Sequence, residues 1–160
     1  MPADSEDRPV TVDLPHTWRP LGVRLAVVFF GAVLAVVFLF AWFAFDQEVR
    51  DTYTPFQLGT LTFMIIGGAA VGYGVARARI DATAQGLVIV NGFRRYEVPW
   101  EQAEVIRLPS GAPWARLRLT DGTVHSVTAL QGSDGARATR GVAEIQGLIE
   151  QHRASGAELY

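Results

Sequence analysis

Two uncharged stretches constrain this chain more than any other feature. Leu25 to Phe45 runs for 21 residues without a charge, and only Gly31 falls outside the apolar set. Thr52 to Ala76 runs for a further 25. Between residues 25 and 76 the ionised side chains are Asp46, Glu48, Arg50 and Asp51 alone. A helix that is apolar on every face has no side to turn to water, so the chain does not read as one soluble domain of 160 residues. A bilayer core about 30 Å thick needs roughly 20 helical residues to cross it. Both stretches reach that length.

The first stretch is the stronger span, expected at about 23–45. It leaves through Trp42, Phe43 and Phe45, bulky residues where a cleaved signal segment would have small ones. The second, expected at about 56–76, has 12 apolar residues among the 20 from Gln57 to Ala76 and five glycines. Thr54 can serve as its N-cap, and Pro55 suits a first helical position, where the missing N–H costs nothing. Small residues let helix backbones approach closely in lipid. Gly31 with Ala35, and Gly68 with Gly72, are the helix-packing candidates, within the hairpin or between two copies of the chain.

The nine residues from Asp46 to Thr54 are too few for anything but an antiparallel hairpin. Arginines set its orientation. Arg8, Arg19 and Arg24 precede the first span, Arg77 and Arg79 follow the second, and Arg50 stands among acids between them. Both termini are therefore expected in the cytoplasm, in a multi-pass protein of the cell membrane. Trp18, Trp42, Tyr53 and Tyr73 fall near the four expected interfaces. Residues 1–20 read as an acidic, proline-rich tail with too few apolar residues to fold.

From residue 77 the pattern changes to short strands with turn punctuation. Strands are expected at 78–83, 87–90, 93–98, 104–108, 114–119 and 123–130. Asn91-Gly92 and Asp121-Gly122 are hairpin signals, and residues 99–103 read as a short helical turn. Ala138, Val142, Ile145 and Ile149 then recur at helical spacing over about 135–153, behind a Ser133-Asp134 cap. The expected fold is α+β with a membrane part. It is a two-helix transmembrane hairpin, then an antiparallel sheet of about six strands with a C-terminal helix over 77–153, then a tail over 154–160.

An order of strands closed by one helix is that of pleckstrin-homology (PH) domains. The run from Ile80 through Gly86-Leu87-Val88-Ile89-Val90-Asn91-Gly92 to Val98-Pro99-Trp100, continued by Trp114-Ala115-Arg116-Leu117, makes the resemblance more specific. Over roughly residues 20–150 the chain resembles the bacterial PH-like family of small actinobacterial membrane proteins, of the low-molecular-weight protein antigen 6 type. The resemblance implies the fold and implies no catalytic residues.

The residues themselves point the same way. There is no cysteine, hence no disulfide and no zinc–thiolate site. His16, His125 and His152 have no partner at metal-ligand spacing. Glu101 and Glu104, three apart, read as a solvated helical face. No nucleophile, base and charge-stabilising group converge, so no enzyme, metal or cofactor is expected. All 14 basic residues are arginine, which reads as codon bias. Without a basic stripe interleaved with aromatics, no nucleic-acid partner is expected.

The expected role is a non-catalytic protein-interaction module held at the cytoplasmic face. Its expected partners are the lipid bilayer and a membrane or cytoplasmic protein, with a homo-oligomer through the small-residue faces as a further option. The contact candidates are Arg94 and Arg95 after the Asn91-Gly92 turn, and Trp114, Arg116 and Arg118 on one strand face. The alternatives are an accessory subunit of a membrane transport or envelope-assembly complex, in which the spans make the contacts, and a lipid-headgroup sensor using Arg94 and Arg95.

Overall fold

A computed structural model describes residues 12–157, and they divide into two units. Residues 1–11 of the tail, with the acids Asp4, Glu6 and Asp7, lie outside the described residues, as do 158–160.

Residues 21–77 form the helical unit. It consists of α1 (Leu21–Ala44), a short α2 (Gln47–Asp51) and α3 (Pro55–Ala76). At 1.5 Å per residue, α1 and α3 are about 36 and 33 Å long, and both are long and apolar enough to cross a membrane. Their side chains are turned outward. No residue of α1 is buried, and in α3 only Gly74 is. A capping box starts α3: the Thr54 Oγ1 accepts from the Gln57 backbone N–H at 3.3 Å, and Gln57 Oε1 accepts from the Thr54 N–H at 2.9 Å. Pro55 occupies the first turn, as the sequence suggests. The turn between the helices carries an aromatic contact, Trp42 against Tyr53, with ring centres 6.2 Å apart.

The second unit combines residues from both sides of the helices. Its first strand is β1 (His16–Trp18). After the helices come β2 (Arg79–Ala82), β3 (Gly86–Asn91), β4 (Arg94–Pro99), a 3-10 turn at Trp100–Gln102, β5 (Ala103–Arg107), β6 (Trp114–Leu119), β7 (Val124–Gln131), and α4 (Ala136–Ala157). One sheet has the order β1-β2-β3-β4 and the other β5-β6-β7, all neighbours antiparallel. The expected layout of antiparallel strands and a closing helix stands, with seven strands in two sheets among the described residues rather than about six in one.

Period-two alternation builds the core. On β6, Ala115, Leu117 and Leu119 point inward while Trp114, Arg116 and Arg118 point out. Ile80, Leu87, Ile89, Ile106, Val127, Ile145 and Ile149 close the core from the other strands and α4. Gln146 Oε1 on α4 accepts from the Ile106 N–H at 3.0 Å, and Arg153 donates to the Glu104 carbonyl at 3.0 Å. These bonds occupy backbone groups on the free edge of β5, which would otherwise be a pairing site.

Five expectations from the sequence change. The tail is not unfolded at its C-terminal end, because His16–Trp18 pair with β2 in the register Thr17↔Asp81. The segment needs no core of its own, since Trp18 is buried in the core of the second unit and Val12 and Leu14 pack against it. The Asn91-Gly92 turn is displaced by one residue: Asn91 pairs with Arg94, so the central residues are Gly92 and Phe93, and Gly92 takes the positive φ of 60°. Asn91 stays in the ladder because its side chain joins the two sheets. Its amide donates to the Ser126 carbonyl, and its Oδ1 accepts from the Thr128 hydroxyl at 2.7 Å and N–H at 3.2 Å. Glu101 and Glu104 share no helical face, since the 3-10 turn ends before Glu104, which lies in β5. Finally, Ser133 sits in a 3-10 turn with its hydroxyl directed at Gln131, and α4 runs on to Ala157 instead of ending near 153.

Candidate functional site

The outward face of β5-β6-β7 gathers several arginines. Alternation on β6 sets Trp114, Arg116 and Arg118 side by side along one face. The β5–β6 register then places Arg107 directly opposite Arg116 and Val105 opposite Arg118. A ladder irregularity between Ala103 and Val105 frees Glu104 to reach Arg118. The contact is two-pronged, Nε to Oε2 at 2.8 Å and Nη2 to Oε1 at 3.0 Å. Arg107 and Arg116 have no side-chain partner among the described residues. Directly opposed like charges on neighbouring strands destabilise a sheet. An acidic group lying across the pair would relieve the repulsion. Trp114, 37% exposed at the end of the same row, offers an amphipathic anchor.

Arg107 was not singled out from the sequence. Its strand was legible, but its register against β6 was not, because the loop 108–113 does not dictate which residues face each other. The other cationic candidates divide. Arg95 is spent on Glu97 in an exposed ion pair at 2.8 Å, while Arg94 is exposed beside it. The Thr83–Gly86 turn before β3 carries no cation, and its Thr83 Oγ1 donates to the Gly86 carbonyl at 2.9 Å.

In the helical unit, Gly72 is the small residue that lies against the neighbouring helix: a Cβ there would be 3.2 Å from Val27 Cγ1. Gly31 and Gly68 face open space, with nothing within 4 Å of an added Cβ. The pair Gly31 and Ala35 and the pair Gly68 and Gly72 therefore do not form one continuous contact within the hairpin.

Each histidine lies against an aromatic ring. His16 meets Trp18 and His125 meets Tyr96, each with ring centres 4.5 Å apart, and His152 stacks on Trp100 at 4.3 Å. His152 Nδ1 also lies 2.9 Å from the Leu148 carbonyl. Among the described residues no three His, Asp or Glu side chains come together as a metal-holding group. One carboxyl has a shifted acidity. The backbone N–H of Thr123, then its hydroxyl, hold Asp121 below the usual carboxylate value of 3.8. Asp121 Oδ1 accepts from that N–H at 2.8 Å, so the shift belongs to the β6–β7 turn and not to an acid–base site.

Residues 77–148 match a family model described as Bacterial PH domain. Comparison with curated proteins gives no match, and comparison with solved structures gives none. The matched segment holds β2 to β7 and the first part of α4, the elements whose two sheets and closing helix are described above. This segment is thus similar to a bacterial PH domain, and the strand β1 from the other side of the helices joins the same unit.

Proposed function

We propose that the chain is a membrane-anchored PH domain that acts as a non-catalytic protein-interaction module at the cytoplasmic face. The outward apolar side chains of α1 and α3 support the anchor, because water solvates such helices poorly and lipid solvates them well. The arginines flanking the two helices support the orientation. The observation that carries the interaction reading is the unneutralised pair Arg107 and Arg116 beside Trp114. That face suits an acidic segment of a protein partner.

The test is affinity purification from gently solubilised membranes at physiological expression, comparing the wild-type chain with R107E/R116E. A partner is expected with the wild type and is expected to be lost with the variant. Recovery of the wild-type chain always alone would overturn the proposal.

In a second reading the helices make the contact as part of a larger membrane complex. Gly68 faces open space, so Gly68→Leu disturbs no contact inside the hairpin. If the helices are the contact, this variant loses the partner; if the domain face is, the variant keeps it.

A further inference from the structure

Sheet edges expose unpaired backbone N–H and C=O groups, and folded chains cover or blunt them. On the β5 edge, Gln146 and Arg153 from α4 bond to the outer backbone. On β7, the Asn91 side chain does so at Ser126 and Thr128. The edge strand β1 is only three residues long. β4 differs from all of these. It runs for six residues, β3 is its one sheet neighbour, and its other edge has no backbone partner among the described residues.

The β3–β4 register says which groups that edge presents. Asn91 and Arg94 close a two-residue turn, so they form a hydrogen-bonded pair, and such pairs alternate along the ladder. Ile89 with Tyr96 and Leu87 with Val98 are then bonded pairs as well. Arg95 and Glu97 stand in the intervening pairs, opposite Val90 and Val88, so their backbone N–H and C=O groups point away from β3. Their side chains share the solvent face, 58% and 68% exposed, and reach each other at 2.8 Å. Tyr96 between them turns to the other face, where it packs against the core and meets the His125 ring at 4.5 Å. The strand is thus held in place before anything pairs with it, which lowers the ordering cost of pairing.

Charge on an edge normally discourages pairing. Here the two signs are two residues apart, and that spacing suits one partner. We infer that β4 pairs antiparallel with β4 of a second copy of this chain, about a two-fold axis at Tyr96. In that register Arg95 lies opposite Glu97 of the second copy, and Glu97 opposite its Arg95. Both pairs join outward-pointing backbone, so each exchanges two backbone hydrogen bonds, and opposite charges face each other across the strands. The neighbouring registers fail. One sets Arg95 on Arg95. The other sets Glu97 on Glu97 and Arg95 against Pro99, which has no N–H to donate. The contact is isologous, the same surface on both copies. A single strand pair is a small interface, so the dimer is weak and depends on protomer concentration. It uses neither the Arg107 and Arg116 face nor the helices, and it does not rest on the role proposed for that face.

The experiment uses the full chain in detergent micelles over a dilution series. Self-association is read by sedimentation, and amide hydrogen exchange is read residue by residue. The wild type is expected to dimerise on concentration, with exchange slowing at the Arg95 and Glu97 amides as it does. The Tyr96 and Val98 amides, already bonded to β3, are expected to stay unchanged. R95E alone and E97R alone each turn both attractive pairs into repulsive ones, because the symmetry counts every change twice. Each is expected to weaken dimerisation by at least about tenfold. The double swap R95E/E97R restores opposite charges in both pairs and is expected to dimerise as the wild type does. A mixture of the two single variants is expected to associate, one with the other, which misfolded chains would not do. Three results would each overturn the inference: a wild type that stays monomeric, association that leaves the Arg95 and Glu97 amides exchanging freely (as contact through the helices would), or single variants that dimerise like the wild type. None of them touches the Arg107 and Arg116 face, whose own variant is scored by partner recovery.

Discussion

The two units use the same kinds of side chain in opposite ways. In the helical unit Phe40 is 75% exposed and Phe56 is 83% exposed. In the domain Ile80, Ile89, Leu117 and Ile145 are fully buried. Apolar surface is favoured only where the surrounding medium is itself apolar. The domain creates that medium from its own strands and helix, whereas α1 and α3 need it supplied from outside. β1 shows that the division is not one of sequence position. It precedes the helices, yet its Trp18 is buried among strands that follow them.

The largest effect should come from attacking that exception. Trp18→Ala removes a buried ring and leaves Glu144 without its indole partner. A loss of about 3–5 kcal/mol is expected in denaturant melts of the domain signal, and a loss under about 1 kcal/mol would show that β1 is not part of the core. The complementary change belongs to the helical unit. Val36→Lys puts a charge at the middle of α1, at an insertion cost of about 2.5–3.5 kcal/mol. Membrane-fraction recovery should fall while the domain's melting transition stays in place. Should the domain transition move equally, the two units would not be separate in the way described.

Asn91→Ala tests the join between the two sheets. Losing the bonds to Ser126 and Thr128 should cost about 1–3 kcal/mol, without exposing the core to proteolysis as Trp18→Ala would. The smallest effect is expected at Asp121→Asn, where the turn hydrogen bond can persist and only the charge is lost. The folded pKa of Asp121 lies below its unfolded value, so the unfolded chain takes up the proton first and stability rises with pH. The advantage of wild type over the variant is therefore full above pH 3.8 and disappears as pH falls through the depressed folded value. Melts at neutral pH and below that range check the sign, and a wild-type advantage that grows on acidification would refute it.

Much of the fold could be read from residues in order. The length and uniform polarity of 25–45, the alternation of 114–119 and the helical recurrence from Ala138 to Ile149 each report on one element and its immediate surroundings. Asn91 marks where such reading stops. It announces a turn, and the turn is there, one residue further on, because Thr128 and Ser126, about forty positions away, hold Asn91 in the ladder. The interaction surface was half legible for a similar reason. Trp114, Arg116 and Arg118 follow from alternation on a single strand, but Arg107 joins them only through pairing between strands. The cleft between β1, β7 and α4 was not legible at all, since Arg19 and Arg140, which both line it, have more than a hundred residues between them.

The sequence by itself determined the two long apolar helices, the strand-rich segment that follows and the helix that closes it, because hydrophobic periodicity is a local property. Only the tertiary structure decided that His16–Trp18 belong to the strand-rich unit, that Arg107 faces Arg116 unpaired, and that three arginines line one cleft. Those outcomes depend on register and on packing between distant segments. Their energies arise only after the chain has closed on itself, so no local pattern of residues carries them.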